Sequence, residues 1–206
     1  MSTDEYRLNE AFNTLKQAER DYFSNPANVE LAIEYSYSLH CAMRDTYNRM
    51  GGRYDLSAYQ AMLKSLTDVY RKYPYNEKIA SYYMWGISYI PEHIGGNVIE
   101  QMFEIVRQFP NNKEIEFYCG EGLYLLAVRY DNRGDLVNAE RVVKYFKILY
   151  DRYPSHNYFI TTYARTLWHI YRNKGFFVKR GAVSELKKIA EQHPNEETIR
   201  FYRTTK

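Results

Sequence analysis

Residues 70–83 read YRKYPYNEKIASYY, and the same phrase returns in altered spelling at 106–119 (VRQFPNNKEIEFYC), 150–163 (YDRYPSHNYFITTY) and 190–203 (AEQHPNEETIRFYR). A looser copy, DYFSNPANVELAIEY, occupies 21–35. The prolines at the centres, Pro26, Pro74, Pro110, Pro154 and Pro194, stand 48, 36, 44 and 40 residues apart. A period of this size marks stacked helix pairs, because one pair cannot bury its apolar face alone and gains a core only against its neighbours.

Proline lacks an amide hydrogen and pushes its predecessor out of helical geometry. Each of the five therefore ends a helix, and Asn28, Asn76, Asn112 and Asn195 are placed to cap the next one. Counting forward from the proline, offset five holds Leu31, Ile79, Ile115, Phe159 and Ile199. Offset nine holds Tyr35, Tyr83, Cys119 and Tyr163, and offset thirteen holds Leu39, Ile87, Leu123 and Leu167. Steps of four make these columns one helix face. Offset twelve is small throughout (Ser38, Gly86, Gly122, Thr166), which lets a second helix come close.

Counting backward gives a second amphipathic helix per unit. Four before the proline stand Tyr22, Tyr70, Val106, Tyr150 and Ala190, and eight before stand Ala18, Leu66, Met102, Phe146 and Leu186. Gly51, Gly52, Gly95, Gly96, Gly134, Gly175 and Gly181 fall between the two helices and are expected to stop them. The spacing predicts a capping helix over 5–24, then pairs 28–47 with 57–73, 77–90 with 97–109, 113–131 with 136–153 and 157–173 with 180–193. A C-terminal helix over 196–204 closes the chain. The expected architecture is all-α, one repeat domain over 1–206 with no sheet.

Composition narrows the function. With 45% hydrophobic residues the chain can build a core. The net charge of +3 is too small to argue for nucleic acid by itself. Its distribution is uneven: residues 1–140 hold 14 basic and 20 acidic side chains, and residues 141–206 hold 14 and 5. The last third could meet an acidic partner, or simply present solvated, charged helix faces. No apolar run reaches membrane-spanning length, and the polar start MSTDEYRLNE is no secretory signal. The two cysteines, Cys41 and Cys119, stand in separate apolar segments, which fits buried thiols in a reducing cytoplasm. The five histidines are scattered without metal-ligand spacing. Gly120-Glu121-Gly122 lies within a helix and is no phosphate loop. No enzyme and no cofactor is expected.

The column pattern resembles the tetratricopeptide-repeat family over most of the chain. Small residues at offset ten (Ser36, Gly120, Ala164), Phe146 eight before its proline and Ala182 twelve before Pro194 match that family's motif. Met84 at offset ten, tyrosine or cysteine at offset nine, and spacings above the usual 34 make the array a divergent one. The resemblance implies a right-handed superhelical array of antiparallel helix pairs whose first helices line a concave face. Carried over by offset, the groove-facing set implied by the resemblance includes Tyr37, Lys78, Trp85, Tyr89, Glu121, Tyr124, Arg165, Trp168 and His169. It also implies a non-catalytic scaffold that binds a protein or peptide. The Lys and Asn clamp of chaperone-tail-binding relatives is missing: Ile33 and Tyr37, Ser81 and Trp85, Phe117 and Glu121, and Thr161 and Arg165 stand at those offsets. RNA binding through the basic last third is a second reading, opposed by Glu30, Glu114 and Glu121 in the groove set. Self-association of acidic front on basic back is a third.

Overall fold

Three hydrogen bonds recur at the proline turns, each at four of the five, and these set the helix boundaries. The amide of the residue before the proline donates to the carbonyl four residues back: Tyr73 to Val69, Phe109 to Ile105, Tyr153 to Leu149 and His193 to Ile189, at 2.8–3.0 Å. The amide two after the proline then reaches the carbonyl just before it: Asn28 to Asn25, Asn76 to Tyr73, Asn112 to Phe109 and His156 to Tyr153. This is a β-turn with proline at its second position, the place that its fixed φ favours. Finally the asparagine side chain caps the next helix. Asn76 Oδ1 accepts from the Ile79 amide at 3.1 Å, Asn112 Oδ1 from Ile115 at 2.9 Å and Asn195 Oδ1 from Thr198 at 2.9 Å. Asn28 Oδ1 accepts from Glu30 at 2.9 Å.

The computed structural model describes residues 3–49, 56–89, 97–172 and 174–205. Among these residues the chain forms ten helices and no strand. They are α1 (Thr3–Ser24), α2 (Val29–Arg49), α3 (Leu56–Lys72), α4 (Glu77–Tyr89) and α5 (Val98–Gln108), followed by α6 (Lys113–Asn132), α7 (Leu136–Arg152), α8 (Asn157–Tyr171), α9 (Phe176–Gln192) and α10 (Glu196–Thr205). The expected breaks at Gly51, Gly52, Gly95 and Gly96 lie outside the described residues. Gly134 does end α6 in the left-handed region, at φ +76°, where a side chain would be strained. Gly181 is a correction: it sits inside α9, which begins at Phe176 and not at 180. A glycine in a helix interior costs only about 1 kcal/mol relative to alanine, too little to stop a helix with a well-buried face.

The chain divides into two compact units, residues 1–87 with 100–115, and residues 88–99 with 116–206. In the first, α1 packs on α2 and α2 on α3. Gly86 of α4 lets α3 approach, since a Cβ there would stand 2.8 Å from Leu63 Cδ1. The Tyr59 hydroxyl fills the remaining gap and donates to the Gly86 carbonyl at 3.0 Å. In the second unit, α7 packs on α8, and α8, α9 and α10 pack on one another. Gly120 is the close-approach point there: an added Cβ would meet Tyr158 Cε1 at 2.9 Å.

Tyrosine usage follows from the repeat. The residue four before a proline and the residue nine after it pair as rings across the turn. Tyr22 stacks on Tyr35 at 5.3 Å, Tyr70 on Tyr83 at 4.6 Å, and Tyr150 meets Tyr163 at 5.2 Å. Such pairs contribute about 0.5–1.5 kcal/mol each beyond the area they bury. The second ring of each pair is buried, and burial pushes the phenols of Tyr35, Tyr83 and Tyr163 up from their ordinary range. In two of the pairs the first ring has a polar contact at its edge. Tyr70 OH donates to Gln108 Oε1 at 3.5 Å, and Tyr150 OH to Gln192 Oε1 at 3.4 Å. Both glutamines stand two before the following proline. The columns at offsets nine and thirteen are buried in full, at 0–6% exposure.

Candidate functional site

The residues expected to line a groove fall in both units. In the first, Tyr37 of α2 is 52% exposed, and Lys78 at the start of α4 is exposed. A cleft of about 550 Å³ opens beside Tyr37, lined by Thr14 and Ala11 of α1 and by Ser38, Cys41, Arg44 and Asp45 of α2. Trp85 is a correction. It is 4% exposed, its ring 4.6 Å from His40 and 6.3 Å from Tyr59, so it is a core side chain and not an open anchor.

Sequence reasoning did not find the cluster around Trp85. His40, 8% exposed, is enclosed by Trp85, by Tyr82 at 5.4 Å and by Tyr37 at 6.4 Å. Its Nδ1 is buried with no hydrogen-bond partner. Burial, with the Arg44 charge adding to it, pulls the imidazole down to about 4, so it is neutral at pH 7. On the adjoining face, the Ser81 hydroxyl donates to Glu114 Oε2 at 2.6 Å.

The second unit brings five of the expected residues together on α6 and α8. Glu121 Oε1 accepts from the Tyr158 hydroxyl at 2.6 Å and from Arg165 Nη2 at 2.9 Å. The Arg165 guanidinium lies 3.9 Å from the centre of the Tyr124 ring, a cation–π contact. Tyr124 meets His169 edge-on at 6.3 Å, and His169 meets Trp168 at 6.5 Å. Burial lowers the His169 imidazole from its ordinary value, the Arg172 charge lowers it further, and Asp131 partly opposes both. Tyr89 is half-buried, and its backbone carbonyl accepts from Arg129 Nη2 at 3.3 Å.

This face is preorganised. Arg165 is held by one carboxylate and one ring, yet a third of its side chain stays exposed, and its Nε is buried without a partner. Trp168 is held differently. Its Nε1 donates to Thr204 Oγ1 at 2.8 Å, Phe201 lies 5.3 Å away, and Arg172 covers the ring at 4.1 Å. It thus seats α10 on α8 and leaves only part of its surface open. In the basic turn after α8, Arg172 is spent on Trp168 and Lys174 on Asp131 at 2.8 Å. The Lys179 side chain lies outside the described residues, and Arg180 is exposed on α9.

A buried carboxylate went unnoticed in the sequence. Glu116, 2% exposed, stands 3.7 Å from His156 Nε2. The signal for it was the broken cap column. His156 occupies the asparagine position of its turn but makes no side-chain cap, and reaches back to Glu116. No three or more histidine, cysteine or acidic side chains stand together to hold a metal ion among the described residues. Nor is any described helix long and apolar enough to cross a membrane. Comparison of the chain with protein-family models, with curated proteins and with solved structures returns no match.

Proposed function

We propose that the chain is a non-catalytic, cytoplasmic scaffold of TPR-like helix pairs in a right-handed array, binding a protein or peptide on the exposed faces of the first helix of each pair. The observation that carries this reading is the half-exposed Glu121–Arg165–Tyr124 set on α6 and α8. It is held in one geometry before any partner arrives, so binding costs little side-chain entropy. It offers what interface anchors need, an aromatic plane beside a guanidinium. The repeated proline turn and tyrosine pair support the helix-pair assignment, since each recurs at the same offsets. Tyr37 beside its cleft supplies a second exposed ring in the first unit. The acids among the lining residues argue against RNA as the ligand of these faces.

The test is selection of a random displayed-peptide library on the immobilised protein, followed by binding and melting measurements on Tyr124→Ala and Arg165→Lys. Selected peptides are expected to lose about 2 kcal/mol of affinity on Tyr124→Ala, with the melting temperature nearly unchanged. Arg165→Lys keeps the charge but loses the planar fork over Tyr124, so it weakens the same peptides. Failure of the library to enrich any peptide, or equal binding by both variants, would sink the assignment.

A further inference from the structure

The cleft beside Tyr37 holds a thiol that the reading above leaves unused. The cleft measures about 550 Å³, within the range of about 300–1,000 Å³ that small-molecule sites span. Cys41 lines it, together with Ser38, Arg44 and Asp45 of α2 and Glu10 of α1. The thiol is free and partly exposed, not buried as its apolar segment suggested. Cys41 is the main cause raising the Tyr37 phenol from its ordinary range, and the Arg44 charge acts on the same phenol in the opposite sense. The thiol is thus in reach of a small molecule in the cleft, beside one cation and two acids.

Ser38 points independently to a ligand. Its side chain is 7% exposed and lines the cleft, and its hydroxyl has no hydrogen-bond partner among the described residues. Comparable buried hydroxyls are satisfied within their own helix. Ser36 donates to the Ala32 carbonyl at 2.7 Å and Thr46 to the Ala42 carbonyl at 2.8 Å. Thr166, which like Ser38 stands twelve after its proline, donates to the Thr162 carbonyl at 2.7 Å. A buried polar group left unpaired costs about 1–3 kcal/mol, so Ser38 gains from a ligand group that reaches it. Arg44 and Asp45 stand 3.8 Å apart, beyond hydrogen-bond length, with side chains 49% and 30% exposed. Each keeps hydrogen-bonding capacity for a ligand.

We propose that Cys41 is a thiolation site, forming a mixed disulfide with a low-molecular-weight thiol that carries an α-amino-acid group. Arg44 takes the carboxylate of that group, Asp45 and Glu10 take its ammonium, and the Ser38 hydroxyl supplies a further hydrogen bond. A purely anionic ligand would face the two acids, and a purely cationic one would face Arg44; a zwitterion satisfies both signs. The reaction is exchange with the disulfide form of the small thiol, which is the oxidant. The Cys41 thiolate attacks one sulfur, the new S–S bond forms as the old one breaks, and the other half leaves as a thiolate. Cys41 gives its proton to solvent and the leaving thiolate takes one up, so the exchange needs no other oxidant. Cys119 is excluded from this chemistry: it is fully buried, and burial pushes its thiol far above the ordinary range. The scaffold reading is carried by α6 and α8 in the second unit, so either reading can fail without the other.

The test incubates the full chain with a panel of disulfides and follows adduct mass against time. Cystine and glutathione disulfide carry the amino-acid group, cystamine only the ammonium, dithiodipropionate only the carboxylate, and hydroxyethyl disulfide neither. Each rate is divided by that of the same disulfide with N-acetylcysteine amide, which cancels the intrinsic reactivity of the leaving thiol. The expected result is one adduct per chain, absent in Cys41→Ser, with the amino-acid disulfides favoured over hydroxyethyl disulfide by about tenfold or more on this scale. Arg44→Ala should bring them down to the level of cystamine, and Glu10→Gln/Asp45→Asn to the level of dithiodipropionate. Ser38→Ala should lower the preference severalfold. Each variant should still take a single adduct, since unfolding would expose Cys119 to a second. Cystine ahead of glutathione disulfide supports a free amino-acid thiol as the donor, and the reverse order supports the tripeptide. The proposal is overturned if Cys41 does not react, if Cys119 reacts as fast in the parent, or if the preference for amino-acid disulfides is missing from the parent or persists in both charge variants.

Discussion

His40 shows how one side chain can couple this fold to pH. Its imidazole is buried against Tyr37, Tyr82 and Trp85, with Arg44 the cation acting on it, and is pulled down to about 4. The unfolded chain takes up a proton near pH 6.5, while the folded chain refuses it until about pH 4. Stability from this group is therefore complete above about pH 6.5 and falls as the pH drops through the window. At 1.36 kcal/mol per pH unit the loss at pH 4.5 is about 2–3 kcal/mol. In His40→Phe, which keeps a ring in the same aromatic cage, that loss is expected to vanish. Urea unfolding of parent and variant at pH 7.5 and 4.5 isolates it, because the carboxylates titrate alike in both. Equal pH dependence of the two proteins would mean that the imidazole is already solvated in the native state. The same cage explains what the sequence hid. Groove-facing offsets place Trp85 outward, but offsets carry no information on which neighbours leave room. His40 and Tyr59 flank the buried indole.

At the scale of the element, the proline turn does most of the specifying. The columns at offsets five, nine and thirteen were legible because they depend only on a 3.6-residue period, and all but Leu31 and Ile199 are buried. Asparagine caps were legible because the side chain acts on its own helix, two or three residues away. Contacts between helices were not. Nothing local in Tyr70 or Gln108 announces that they meet, and the break at His156 in the asparagine column does not say that its partner is Glu116. Glycine spacing puts the start of α9 at 180, but Gly181 has ordinary helix backbone with open space at the position of a side chain. Capping is where the turn can be probed. Asn112 Oδ1 accepts from both Glu114 and Ile115, at 3.0 and 2.9 Å, and its Nδ2 donates to Glu77 Oε1. Asn112→Ala removes all three contacts and is expected to cost about 1–2 kcal/mol. Asn112→Asp keeps the cap but sets a carboxylate against Glu77, so it should fall between parent and alanine. Denaturant melts of the three proteins check the order, and an alanine variant as stable as the parent would leave the cap without energetic weight.

At the scale of the whole molecule, α10 bears on how the second unit buries its core. A helix laid over a core is apolar on one face and polar on the other. The helix α10 is built this way. Phe201 of α10 is 2% exposed, Thr198 and Thr205 are at 0%, and Arg200 and Arg203 are exposed. Thr204 accepts the indole hydrogen bond of Trp168, and Phe201 lies against the same ring. Ending the chain after Pro194 would return the Phe201 side chain's burial, about 1.5–3 kcal/mol, and uncover Trp168 and the α8 surface beneath it. The truncated protein is expected to lose about 2.5–4 kcal/mol, counting the broken indole bond at about 1 kcal/mol. In a Trp85→Phe background the only indole left is Trp168, so its emission reports the change directly. It should shift to the red on truncation, while Trp168 in the full-length chain stays blue-shifted by Phe201 and Arg172. Thr204→Val separates the two contributions. It removes the acceptor but keeps the packing, so it should move stability by about 1 kcal/mol and leave the emission nearly blue. Unchanged emission and stability on truncation would show that α10 is an appendage of the second unit and not its cap.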